Sequence, residues 1–196
     1  MREKRIVQKR TATLIAGLCL LAALAAEADT LTGQSVSRFM ASMAALQASE
    51  AFSGHFKSAR EAVWNDREFP GSLMPSELSA MVEGGAGYQA FKTIIEAHGF
   101  EEPQAWARAG DRILLALMSL DMNDRLPEMQ ARLVRMREQM SANPRFSDDQ
   151  KQRMQQMIDR TAQLFNRVAQ VPETDREAVR PHRAALKQAL DYQSVK

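Results

Sequence analysis

Ile113-Leu114-Leu115-Ala116-Leu117-Met118 is a run of six residues without a polar side chain, and it constrains the fold more than any other stretch. A helix apolar on every side has no face to give to water, so other elements must surround it. Framed by Trp106 and Leu120, the run reads as a central helix. It falls well short of the ~20 apolar residues that cross a bilayer, so a packed core is its natural place. Gly99 suits the position just past a helix end, and Glu102-Pro103 puts proline at the first position of the next helix.

Every other periodic segment has helical spacing and none alternates as a strand would, which makes the class all-α. Thr32 caps a first helix presenting Val36, Phe39, Met40, Met43 and Leu46 on one stripe. Phe52, Phe56 and Val63-Trp64 carry that pattern on, with a break at Gly54, toward Asn65-Asp66. Phe69-Pro70-Gly71-Ser72 and Met74-Pro75 are turn chemistry, and Ser76 is the expected cap of the next helix. Gly84-Gly85-Ala86-Gly87 divides the segment to His98 in two, the second piece holding Tyr88, Phe91, Ile94 and Ile95. Without a preceding strand or a P-loop lysine, that glycine run is a hinge and not a phosphate cradle.

Beyond a turn at Asp121–Pro127, Met129, Leu133, Met136 and Met140 form a seam that ends at Asn143-Pro144. Ser147-Asp148-Asp149-Gln150 is a capping box opening a helix with Met154, Met157, Ile158, Leu164, Phe165 and Val168. Thr174-Asp175-Arg176-Glu177 reads as a second box, before a last helix that kinks at Pro181 and buries Val179, Leu186 and Leu190. Short connections between helices predict a single-domain antiparallel bundle of about six helices.

The N-terminus has the pattern of a signal peptide. Arg2, Lys4, Arg5, Lys9 and Arg10 precede an apolar stretch from Ala12 to Ala26, with small residues at Ala23, Ala25, Ala26 and Ala28 for cleavage. The expected division is a signal peptide at 1–25, with cleavage possible after 28, and a helical domain at 29–196 in the periplasm or secreted. An uncleaved anchor is the alternative. Cys19, the only cysteine, lies inside the apolar stretch and not at a lipoprotein acceptor position, so the mature domain relies on packing without disulfides. Cleavage shifts the formal charge from +2 to −2, so the basic character belongs to the export signal and gives no reason to invoke nucleic acid. Residues 26–131 carry a net −7 and 132–196 a net +5, a polarity able to hold the two parts together or to attract acidic partners.

Nothing reads as catalytic. His55, His98 and His182 are far apart, without the i, i+3 or i, i+4 pairing of helical zinc sites, and no serine sits in a G-x-S-x-G setting. No metal ligand set, catalytic residue or cofactor is assigned. His98 suits the negative end of a helix dipole. Glu61, Glu83 and Glu96 lie in different segments. Methionine is the unusual excess, 12 in all. Thioethers at helical spacing pack cores, adapt to binding partners or bind Cu(I).

Phe146-Ser147-Asp148-Asp149-Gln150-Lys151-Gln152-Arg153-Met154 resembles the L-T-x-x-Q segment that opens a helix in Spy/CpxP-type periplasmic proteins. Leu31-Thr32 with Val36 and Phe39, His98-Gly99-Phe100, and Trp106-Ala107 with Gly110-Asp111-Arg112-Ile113 resemble a group of small exported bacterial helical proteins. The second resemblance implies a periplasmic helical protein and names no activity. Methionines that adapt to apolar shapes, beside arginines, suit a chaperone-like protein that binds unfolded or amphipathic polypeptide, and the first resemblance adds to that reading. The candidate contacts are Arg132, Arg135, Met136, Met140, Arg153, Met154, Met157 and Arg160, with Arg137 and Arg167 adding to the charge that attracts acidic clients. No stable membrane insertion of the mature chain is expected. A small-ligand or copper carrier is the alternative, and an enzyme the remote third.

Overall fold

The protein is all-α. A computed structural model describes residues 30–52, 73–85 and 87–190, all but Thr30 within the unit Leu31–Lys196. The expected signal peptide at 1–25, both cleavage positions, His55, Glu61 and the helix extension through Phe56 and Val63-Trp64 lie outside those residues.

Eight α-helices occur among the described residues: α1 Gly33–Ala48, α2 Met74–Val82, α3 Tyr88–Ala97, α4 Pro103–Met122, α5 Leu126–Ala142, α6 Asp148–Ala169, α7 Glu173–Val179 and α8 Arg183–Ala189. Local chemistry accounts for most of their ends. Thr32 Oγ1 accepts the Ser35 backbone N–H at 3.1 Å and starts α1. The helix stops at Ser49, whose extended backbone departs from it, while the expected break at Gly54 lies outside the described residues. Glu50–Phe52 is helical again. Gly99, at φ 82°, closes α3: its N–H donates to Glu96 O, and the Phe100 N–H donates to Ile95 O. That is the paired-bond helix stop which a left-handed glycine allows. Ser147 and Gln150 form the expected reciprocal cap of α6.

Two other starts differ from expectation. Ser76 does not cap α2, and Met74-Pro75 is not a turn: the helix begins at Met74 with proline in its first turn, where no N–H is needed, and Leu73 at the cap position offers no side-chain bond. The acceptor comes from α4, where Asp111 takes the Ser76 backbone N–H at 3.3 Å and its hydroxyl at 2.6 Å. Nor does Thr174 open a capping box. Helix α7 begins at Glu173 after Pro172, and Asp175 is drawn inward by Arg112 instead. The turn after α4 is also tighter than expected, only Asn123–Arg125, because α4 runs on to Met122 and α5 starts at Leu126. Pro181 lies in a 3-10 turn, Arg180–His182, between α7 and α8.

Helix α4 is central, packed by α1, α2, α3, α6 and α7. No residue of it from Ala109 to Met122 is exposed. On one side Trp106 meets Phe39 and Phe91, each at 5.2 Å between ring centroids, and Phe52 meets Phe91 at 5.9 Å. Ile113, Leu117, Val179 and Leu186 join these rings in the main core. Full burial of such side chains contributes ~1.5 to 3 kcal/mol each. On the other side Leu114 and Met122 meet Leu126, Leu164, Phe165 and Val168 in a second cluster, with Leu115 packed against both. This second cluster attaches the α5–α6 hairpin to the body.

The polar groups of α4 tie it to its neighbours. Arg112 makes a two-pronged pair with Asp175, at 2.8 and 3.1 Å. The Asp121 carboxylate, its side chain 3% exposed, meets Arg183 Nε at 2.8 Å and Lys187 Nζ at 2.6 Å. The Asp121 pairs follow the charge polarity of the two parts of the chain, whereas Arg112–Asp175 runs against it.

Candidate functional site

The hairpin of α5 and α6 carries all eight residues singled out above. At its foot Leu126, Leu164, Phe165 and Val168 are core, with Met129 and Leu133 packed against them. Farther out, Met140, 4% exposed, and Ile158 are buried yet belong to neither core cluster. The outer part of the hairpin is thus closed mainly by its own two helices.

The hairpin has two unlike edges. Along one, Gln130 donates to Asn166 at 3.4 Å, Arg137 pairs with Asp159, and Gln155 donates to both Asp159 carboxylate oxygens. Gln130 and Arg137 are seven residues apart, as are Asp159 and Asn166, so each pair forms one stripe. At about 100° per residue, Met136 stands a quarter turn from Arg137, and Met157 is nearly opposite Asp159 around α6. The thioethers therefore lie toward the other edge, where Met136, Met154 and Met157 are half-buried. They neither fill a core nor stand free in water. Arg132, Arg135, Arg153 and Arg160 are exposed.

Charge is distributed unevenly over the molecule. Most cations of the α7–α8 region are used: Arg176 and Arg180 on Glu173, Arg183 and Lys187 on Asp121. The Glu173 carboxyl is held below its ordinary range, chiefly by its hydrogen bond from Arg176. Between residues 126 and 169 the chain has eight basic and five acidic side chains, and Arg132, Arg135 and Arg153 make no ion pair among the described residues. Val134, the exposed large hydrophobic side chain of the described residues at 55%, lies on the Arg137 side of α5, nearly opposite Arg132 and Met136.

Sequence reading overlooked Val134, although it is a large aliphatic residue on an otherwise polar face. It also overlooked Asp111, where burial is the main effect and raises the carboxyl pKa against the opposing hydrogen bonds of Ser76 and the charge of Arg167. The signal was present in the acid at the end of Trp106-Ala107 with Gly110-Asp111, but its partner is 35 residues away.

Among the described residues no group of three or more His, Cys, Asp or Glu side chains is placed to hold a metal ion, and no helix is long and apolar enough to cross a membrane. His98 caps the end of α3 and His182 lies in the 3-10 turn before α8. No family model, curated protein or solved structure matches the chain.

Proposed function

We propose that this is an exported, non-catalytic protein that binds partly unfolded or amphipathic polypeptide through the α5–α6 hairpin, without nucleotide or metal. The observation behind this reading is the methionine edge: flexible thioethers, half-buried, beside exposed arginines. Methionine adapts to many apolar shapes, and exposed cations steer acidic chains. The resemblance of Ser147–Gln150 to Spy/CpxP-type proteins points the same way, as does the signal-like N-terminus.

An aggregation-suppression assay on protein purified from its native host tests the reading. Suppression at low salt is expected, weakening as the screening length falls below ~10 Å. Failure at several-fold excess over the client would overturn it. Stoichiometric copper retained through purification, and lost on Met154→Leu with Met157→Leu, would replace it with a carrier. Mass spectrometry of the same preparation checks export, since an intact Met1–Lys196 species in the membrane contradicts cleavage.

A further inference from the structure

We infer that the polypeptide taken by this hairpin is an acidic amphipathic helix, lying along the methionine edge where α4 lies at the hairpin foot. The inference rests on the polypeptide-binding reading above and adds the shape and charge of the partner.

Shape follows from continuity with an interface already in the fold. Leu164 and Val168 of α6 face the cluster that contains Leu114 of α4. Met157 lies seven residues before Leu164, two helical turns farther out on the same stripe, and Met154 continues it. Helix α4 packs on α6 at the foot, while the outer half-buried methionines lie beyond both core clusters. An incoming helix prolongs the packing that α4 begins. An extended peptide is a poorer fit. The described part of the protein is all-helical, so no sheet edge there can pair a strand's backbone, whereas a helix satisfies its own N–H and C=O groups and offers apolar side chains at i, i+3, i+4 and i+7.

Charge follows from which arginines remain. Arg132 precedes Met136 by four residues and Arg153 precedes Met157 by four, so each cation adjoins a thioether on the same helix face. Both are exposed and neither makes an ion pair among the described residues, whereas Arg137, on the cross-linked edge, is taken by Asp159. Carboxylates flanking the apolar stripe of a partner helix would meet Arg132 on one side of the edge and Arg153 on the other.

The test uses two labelled helical peptides with the same apolar stripe, one flanked by glutamates and one by lysines, titrated by fluorescence anisotropy into protein from the native host. The acidic peptide should bind about five- to tenfold more tightly at low salt, as expected for two or three exposed charge pairs. The gap should close at ~0.5 M salt. Arg132→Glu with Arg153→Glu should reverse the preference while leaving the thermal melt unchanged, since both side chains are exposed. Equal binding of the two peptides overturns the acidic partner and leaves polypeptide binding standing. Binding of an unfolded client but neither peptide overturns the helical partner alone. No binding of peptide or client overturns the broader reading as well. Sedimentation of the protein alone supplies a further check: a dimer dissolved by Arg132→Glu with Arg153→Glu would give this edge to a second copy of the chain and overturn the inference.

Discussion

Trp106 donates its indole N–H to Ser42 Oγ at 2.8 Å, and the same hydroxyl donates to Phe39 O at 2.7 Å, so one small side chain satisfies the polar end of the largest ring in the core. Both residues are buried. Ser42→Ala should cost ~1 to 3 kcal/mol, because the indole N–H loses its acceptor without regaining water. Urea unfolding followed by far-UV dichroism measures the loss. An unchanged midpoint would mean that the indole finds another acceptor.

Gly110 lies where α4 passes Phe39 and Pro75. A Cβ there would come within 2.5 Å of the Phe39 ring and 2.7 Å of the Pro75 Cβ. Replacing an exposed mid-helix glycine by alanine gains up to ~1 kcal/mol from helix propensity. Here the overlap should win, and Gly110→Ala is expected to destabilise by ~1 to 3 kcal/mol. A gain in melting temperature would show that Phe39 can move aside without cost.

Asp111 should give an acid-side signature opposite to that of an ordinary salt-bridged carboxylate. Burial raises its folded-state pKa above 3.8, so the native state binds this proton more tightly than the unfolded chain does. Its contribution is favourable below 3.8 and is lost as pH rises through the raised value. Asp111→Asn retains an acceptor for the Ser76 N–H without the buried charge. Relative to that variant, wild type should gain stability as pH falls through this window. Asp111→Ala, which removes the cap of α2, should lose ~0.5 to 2 kcal/mol at neutral pH. Parallel pH profiles for wild type and Asp111→Asn would contradict the assignment.

Leu114→Asp should prevent folding. Leu114 is buried where the hairpin foot meets α4, and losing a buried leucine alone costs ~2 to 5 kcal/mol. Burying an unpaired carboxylate adds to that, against a total stability of ~5 to 15 kcal/mol. A cooperative melt within a few degrees of wild type would show that the hairpin foot can open without unfolding the body.

The apolar run Ile113–Met118 announced a surrounded helix because local composition alone decides that question, and the helix is surrounded. Gly99 and the Ser147–Gln150 box were legible for the same reason, since their bonds close within five residues. Ser76 and Thr174 misled because a capping residue is defined by geometry as well as by identity. One is capped from α4, and the other sits beside an aspartate that a distant arginine claims. For the candidate site, spacing identified the methionines and arginines. Which arginines stay unpaired depends on the register between α5 and α6, set by the Arg137–Asp159 and Gln130–Asn166 links, and a single strip of sequence does not display register.

The partners of α4 are also ordered in time. Asp175, Arg183 and Lys187 come from the last stretch of the chain, and Gln47 of α1 reaches Ala189 O, 142 residues away, at 3.1 Å. A chain growing or emerging from its N-terminus would hold Asp121 without these counter-ions until Arg183 and Lys187 had appeared. Burying that carboxylate earlier is opposed by the desolvation of an unpaired charge. Closure of the body is thereby tied to the arrival of α8, and a chain that stops short of Arg183 and Lys187 lacks the counter-ions of its central helix.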